Sequence, residues 1–276
     1  MDSGQVAEAL PAAVETPGPR RSRSLYPALL VVCSLTGWEA GVAFFRIPPY
    51  LLPPPSRLLL KIVAEWQRIL LHSWMTLQVV LVGFLLGAVF SIVLAASLLR
   101  FRGLADALYP LLVSSQTIPK VAIAPLLVVW FGFGPTPKVL VAFLVCFFPI
   151  VIDTLTGLKS VPQEVIWLAR SMGARGWDTL LKIRIPAALP NIFAGLKVAS
   201  TLAVVGAVVG EFVGSDRGLG YLLIQANGTM DVQLAFSVLI VLSLMGVLLF
   251  AALELLERAC LPWHISQRVA HGESRR

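Results

Sequence analysis

The sequence predicts an all-α integral membrane protein with about six transmembrane helices. Hydrophobic residues make up 57% of the 276 positions and charged residues only 13%, too little polar surface to clothe a water-soluble domain. Six apolar runs reach the roughly 20 residues that an α-helix needs to cross about 30 Å of hydrocarbon. The polar residues are concentrated in the segments between those runs. Only helices satisfy every backbone group within a single segment, so the runs read as helices and not as strands.

Residues 1–24 are rich in Ala, Pro and Ser and end on Arg20, Arg21 and Arg23. Such a composition reads as a disordered cytosolic tail. A signal peptide also begins with a basic cluster, but the following run stays apolar to Phe45 except for Glu39, and no Ala-x-Ala site follows. The spans fall at about 25–45, 74–99, 107–131, 138–157, 188–212 and 232–256, making 25–257 a membrane domain and 258–276 a cytosolic C-terminal tail. With the amino terminus inside, fourteen Lys and Arg lie on that side. Six (Arg46, Arg57, Lys61, Arg68, Lys138 and Arg217) lie on the other. The positive-inside rule therefore puts both termini in the cytosol of a multi-pass protein of the cell (inner) membrane. The net charge of +7 is spread over these short segments instead of gathered in one patch, which argues against nucleic acid as a partner. Cys33, Cys146 and Cys260 show no paired spacing, and His72, His264 and His271 are far apart, so no metal site is expected.

The third span is interrupted. Pro110, Pro119 and Pro125 break it, and Ser114-Ser115-Gln116-Thr117 with Lys120 put polar groups where lipid would demand apolar ones. Gln116, Thr117 and Lys120 either line a translocation path or are buried between helices. Gly83 with Gly87, and Gly206 with Gly210, form small-xxx-small pairs for close helix packing, within one subunit or between two. Asp153 and Lys197 fall in the inner third of their spans, where they pair with each other or Lys197 snorkels to the interface. Glu211, Asp216 and Arg217 fall at the outer mouth or serve as surface charge.

The segment Lys159 to Ala187 carries the strongest pattern. Ser160 with Gln163 suggests a capping box, and Glu164 sits in the first turn of the following helix. Val165, Leu168, Ala169 and Met172 then share a helical face, and Gly173 reads as its stop. A second short helix over Trp177 to Ile185 is expected to end at Pro186. The result is a cytosolic helical hairpin, 158–187, ringed by Arg170, Arg175, Lys182 and Arg184.

This loop resembles the one carried by permeases of ATP-binding-cassette importers, written Glu-Ala-Ala, three residues, Gly, nine residues, Ile-x-Leu-Pro. The second half matches in Gly173, Ile183, Ile185 (for Leu) and Pro186; the first half departs, with Trp167, Leu168 and Ala169 at the Glu-Ala-Ala positions. The resemblance extends to Leu52-Pro53-Pro54-Pro55-Ser56, to Pro125-Leu126 with Trp130-Phe131-Gly132, to Phe147-Phe148-Pro149 and to Gly218-Leu219-Gly220-Tyr221. Together these motifs resemble the nitrate, sulfonate and taurine type over about residues 25–263. The resemblance implies a type I importer permease that pairs with a second, commonly identical, copy. Cytosolic ATPase subunits would dock at Glu164, Trp167, Leu168, Ala169, Gly173, Ile183, Ile185 and Pro186, and an extracytoplasmic binding protein would deliver a small oxyanion or vitamin-like heterocycle. It implies no cofactor in this chain and no enzyme activity, ATP being used by the partner. In keeping with that, Gly132-Phe133-Gly134-Pro135-Thr136-Pro137-Lys138 lacks the ending of a phosphate-binding loop. An ion-coupled secondary transporter is the competing reading, but it should show internal repeats and several mid-membrane carboxylates, and neither stands out.

Overall fold

The computed structural model describes residues 25–99 and 102–262. The expected tail 1–24 and residues 263–276 of the expected C-terminal tail lie outside the described residues. Among those described, the elements are α1 (Leu25–Phe44), α2 (Pro55–Ala64), α3 (Trp66–Leu98), α4 (Arg102–Ser115), a 3-10 turn (Lys120–Ile123), α5 (Ala124–Phe131), α6 (Pro135–Lys159), α7 (Gln163–Ser171), α8 (Gly176–Thr179), a π-helical turn (Leu180–Arg184), α9 (Ile185–Gly214), α10 (Leu219–Gly228) and α11 (Val232–Cys260).

Four continuous helical segments are long and apolar enough to cross a membrane: Trp66–Leu98, Pro135–Lys159, Gly176–Gly214 and Val232–Cys260. The pair Ala107–Ser115 and Lys120–Phe131 makes a fifth if counted as one span, and it is bent by 77°. The break falls where the prolines and polar residues forecast it, because Pro119 cannot donate to the ladder and the turns at Gln116, Thr117 and Ile118 close on i−3 carbonyls. The apolar stretch of α1, Leu29–Phe44, is shorter than a span, so the count of six reduces to four long helices, one broken pair and one short helix. Glu39, the charge inside that first run, ties α1 to α2. Its carboxylate accepts from the Ser56 N–H (3.1 Å) and hydroxyl (2.7 Å) at the start of α2, satisfying a helix-terminal donor.

The bundle is built around α6, which lies between α3 and α9. Lipid offers helices no hydrophobic drive to associate, so close van der Waals approach must supply it. The glycine pairs do so within the subunit. A Cβ on Gly83 would lie 2.6 Å from the Ala142 Cβ, and one on Gly87 3.1 Å from the Cys146 Cβ. From the other side, a Cβ on Gly206 would meet the Ala142 Cα at 2.8 Å and one on Gly210 the Lys138 Cα at 2.7 Å. No more than 44% of any long span is buried inside the chain, leaving most of their surface for lipid or another subunit.

Two details of the hairpin differ from the sequence expectation. Ser160 does not cap α7; its hydroxyl donates to the Gly157 carbonyl (2.8 Å) and so finishes α6 instead, while Pro162 precedes α7 without a side-chain cap. Nor does Pro186 end the second helix. The chain remains helical from Gly176 to Gly214 through both Pro186 and Pro190. The π-helical turn Leu180–Arg184 directly before Pro186 widens the spiral where the proline ring would press on the preceding turn.

Candidate functional site

Three groups of residues stand out, and the fold places them at different levels. At one end is the hairpin. Ile166 is fully buried and anchors α7, whereas Trp167, Leu168 and Met172 are 62%, 61% and 80% exposed. Across the turn, Trp177 (73%) and Leu181 (57%) extend the same kind of uncovered apolar surface. Gly173 has φ +88° and completes a Schellman motif: its N–H donates to the Arg170 carbonyl and the Ala174 N–H to the Ala169 carbonyl, both at 3.0 Å. The Asp178 carboxylate then accepts from the Arg175 N–H (3.2 Å) and pairs with Lys182 (3.0 Å). Arg184 is buried and donates to the Leu158 carbonyl at 3.3 Å, and Ile185 packs on the cluster of Leu155, Leu158 and Ala188. Of the sequence-predicted docking residues, Trp167, Leu168 and Gly173 are exposed and Glu164 lies on the open side of α7. Ala169, Ile183, Ile185 and Pro186 are half-buried.

The second group is the bend between α4 and α5. Gln116 and Thr117 are exposed and Lys120 is half-buried. The Lys120 Nζ stands 4.6 Å from the Phe148 ring centroid, a cation–π contact. Phe148 adjoins Phe147 at 4.9 Å, and Phe147 adjoins Phe143 and Phe90 at 5.9 and 5.8 Å, so the polar bend opens onto an aromatic row running from α6 to α3.

The third group lies at the end opposite the hairpin. Glu211 is not a surface charge: it is 1% exposed, while the Asp216 and Arg217 side chains, 3.5 Å apart, are exposed. A buried carboxylate must be hydrogen-bonded, and this one is. The Thr76 hydroxyl, on α3, donates to both Glu211 oxygens (2.8 and 3.1 Å), and the Gly220 N–H donates to Oε2 at 2.7 Å. Thr76 also accepts the Leu219 N–H (2.7 Å), and His72, one turn earlier on α3, accepts the Gly218 N–H at Nδ1 (3.0 Å). The first N–H groups of α10 thus end on side chains of α3 and α9. Glycine is required for this fit: Gly218 has φ +114°, and a Cβ there would overlap the Glu211 carboxyl. Lys138, one of the six basic residues assigned to the outer side, is 8% exposed and donates to the Ser215 hydroxyl at 2.6 Å; that hydroxyl donates in turn to the Arg217 carbonyl. His72, Thr76 and Lys138 were not among the candidate residues. The available signal was Glu211 itself, since a carboxylate inside an apolar run demands donors.

The anticipated pairing of Asp153 with Lys197 does not occur. Lys197 pairs with Glu257 of α11 at 2.7 Å, and Asp153 instead lies against Gly195, whose missing side chain leaves room for it. Among the described residues no group of His, Cys, Asp and Glu could hold a metal ion.

The comparison that decides the family is a match of residues 85–261 to the binding-protein-dependent transport system inner membrane component model. The chain belongs to that family. The permease is 39% identical over 260 residues to the riboflavin transport system permease protein of Chloroflexus aurantiacus, covering 89% of this chain and 96% of that one. It is 36% identical over 249 residues to the formylaminopyrimidine transport permease of Halalkalibacterium halodurans (90% and 99% covered), and 30% identical over 241 residues to the taurine transport system permease protein of Escherichia coli (83% and 86%). In fold, the permease resembles the inward-facing methionine ABC transporter MetNI, with a TM-score of 0.57, 22% identity and coverage of 70% of this chain and 96% of that chain. The resemblance to ABC importer permeases of the sulfonate and taurine type is therefore upheld. The permease is a multi-pass membrane transport component and not an enzyme, which removes the secondary-transporter reading.

Proposed function

We propose that two copies of the permease enclose a path for a small solute, that cytosolic ATPase subunits bind the hairpin, and that an extracytoplasmic binding protein delivers solute at the opposite end. In this reading both termini face the cytosol. The observation that carries it is the uncovered apolar surface of Trp167, Leu168, Met172 and Trp177, mounted on a hairpin whose second arm runs without a break into α9. A fixed apolar patch in water favours a protein partner, and a partner's movement there would be felt along α9. Gln116, Thr117 and Lys120, opening onto the phenylalanine row, line the path, and Asp216 and Arg217 flank its outer mouth. The solute is a small oxyanion or a vitamin-like heterocycle. The relatives that transport riboflavin, formylaminopyrimidine and taurine support both classes.

The test is to co-express the permease with the ATPase and measure co-purification and solute-stimulated ATP hydrolysis. Leu168→Glu and Ala169→Glu should each abolish stimulation while membrane expression stays normal. Gly173→Asn, which tolerates positive φ, should retain most of it, whereas a β-branched residue at 173 should not. Normal partner binding in both glutamate variants would remove the hairpin from the coupling role. Purifying the binding protein that works with this permease and measuring what it binds would separate the solute classes.

A further inference from the structure

We propose that His72 is a proton-operated positioning residue, holding the α9–α10 turn against α3 when neutral and releasing it when protonated. The inference rests on this chain alone and does not depend on the transport assembly. A backbone N–H can only donate, so the 3.0 Å contact from Gly218 to Nδ1 fixes the tautomer: Nδ1 carries the lone pair and the ring proton sits on Nε2. Adding one proton from solvent to Nδ1 turns the acceptor into a donor. Two N–H groups then face each other, and the Gly218 N–H loses its partner in a site where His72 is 9% exposed and replacement by water is hindered.

The bond matters because of what the turn must do. Residues 215–218 pass from the end of α9 to the start of α10 through Gly218 at φ +114°. Three successive N–H groups, of Gly218, Leu219 and Gly220, are held by His72, Thr76 and Glu211 respectively. His72 and Thr76 are four residues apart and so lie on one face of α3, where they form a two-point grip; Thr76 also bonds Glu211, linking the grip to α9. Losing the His72 point frees the start of the turn while the Thr76 and Glu211 points still hold α10. The change is therefore a local opening and not unfolding.

The groups around His72 set when this happens. On α3, Arg68 lies one turn away and is bonded to Glu65 (3.0 Å) and to Gln225 of α10 (2.9 Å). From α10, the Tyr221 ring stacks on the imidazole at a centroid distance of 6.0 Å. From α9, Glu211 is reached through Thr76, and beyond it stands Lys138 of α6. Further out, Lys61 of α2 is tied both to Glu65 and to Asp231, the residue before α11, and Asp216 and Arg217 are exposed on the turn itself. The imidazole ordinarily titrates between about pH 5 and 8, and a Glu211 variant separates its step from one due to the carboxyl that holds the Gly220 N–H. In the importer reading, acidification on the binding-protein side would loosen the segment beside the solute entrance.

The experiment is hydrogen exchange by mass spectrometry on the full chain in lipid nanodiscs, following a peptide over 215–222 between about pH 5.5 and 7.5 with intrinsic rates corrected. Within that peptide, protection should fall about tenfold at the Gly218 amide at the acid end, the loss of roughly one hydrogen bond, while the Leu219 and Gly220 amides keep theirs. In His72→Gln the side-chain oxygen can accept from Gly218 at any pH, so protection should be restored and flat. In Glu211→Gln the acid step should persist. A flat wild-type profile overturns the proposal, as does a step that survives in His72→Gln or disappears only in Glu211→Gln. If His72→Gln does not reach the membrane, His72→Asn serves in its place, and a wild-type step that is unchanged in Glu211→Gln still sustains the assignment, whereas its loss there overturns it.

Discussion

Lys197 and Glu257 meet at 2.7 Å and join α9 to α11, with about a fifth of each side chain exposed. The Lys197 ammonium also stands 5.9 Å from the Phe250 ring centroid. Removing one member leaves the other charge stranded within the bundle. Lys197→Met should lower stability by about 1–3 kcal/mol, less than for a fully buried pair, and reduce the yield of folded protein in detergent. Glu257→Gln should recover that yield in the double variant, whereas Asp153→Asn should not; rescue by Asp153→Asn would contradict the observed pairing.

The packing glycines separate into tight and open sites. Gly206→Ala drives a methyl group to 2.8 Å from the Ala142 backbone, which cannot swing aside, and should cost about 1–3 kcal/mol. At Gly246 nothing lies within 4 Å, so Gly246→Ala should be neutral in place or gain up to ~1 kcal/mol from helix propensity. Thermal unfolding in one detergent compares the two directly.

The Lys61–Asp231 bridge (2.8 Å) predicts an acid limb in stability. Hydrogen bonds to Asp231 and then Glu65 hold the Lys61 ammonium above its ordinary 10.5. Burial works against the Asp231 carboxylate, but the Lys61 hydrogen bond, the Leu234 N–H and the nearby Lys61 and Arg68 charges outweigh it and keep its pKa below 3.8. The lysine contribution is complete below 10.5 and lost only as pH rises through its raised value. The aspartate contribution is complete above 3.8 and lost as pH falls through its lowered value. The bridge is therefore constant between those limits, and Asp231→Asn should flatten the part of the stability profile that falls below about pH 4 in the wild type.

Single cysteines at Gln116, Thr117 and Lys120, in a chain with Cys33 and Cys260 replaced, should react with small water-soluble thiol reagents. Their rates should change when ATP is supplied to the assembled transporter. Absence of labelling in every state would assign these residues to packing.

Much of this was legible in the sequence because bilayers impose few solutions. The apolar runs, the proline-marked break at 116–119, the glycine pairs and the Gly173 stop each follow from one local rule. Pro186 escapes the rule that proline ends a helix, because that rule does not see the π-helical turn that accommodates the ring. Glu211 announced a need for donors, but Thr76 lies 135 residues away and the Gly220 N–H carries no mark in the sequence. Likewise nothing local distinguishes Glu257 from Asp153 as the partner of Lys197.

The unbroken helix from Gly176 to Gly214 has 39 residues, roughly 58 Å at 1.5 Å per residue. It begins in the hairpin and finishes beside the Glu211 carboxylate. The two extremities of the molecule therefore share one strut, with no slack loop to absorb motion between them. If the helix tilted as one body, about 3° would shift its far end by about 3 Å relative to Trp177, and the turn gripped by His72 and Thr76 lies at that far end.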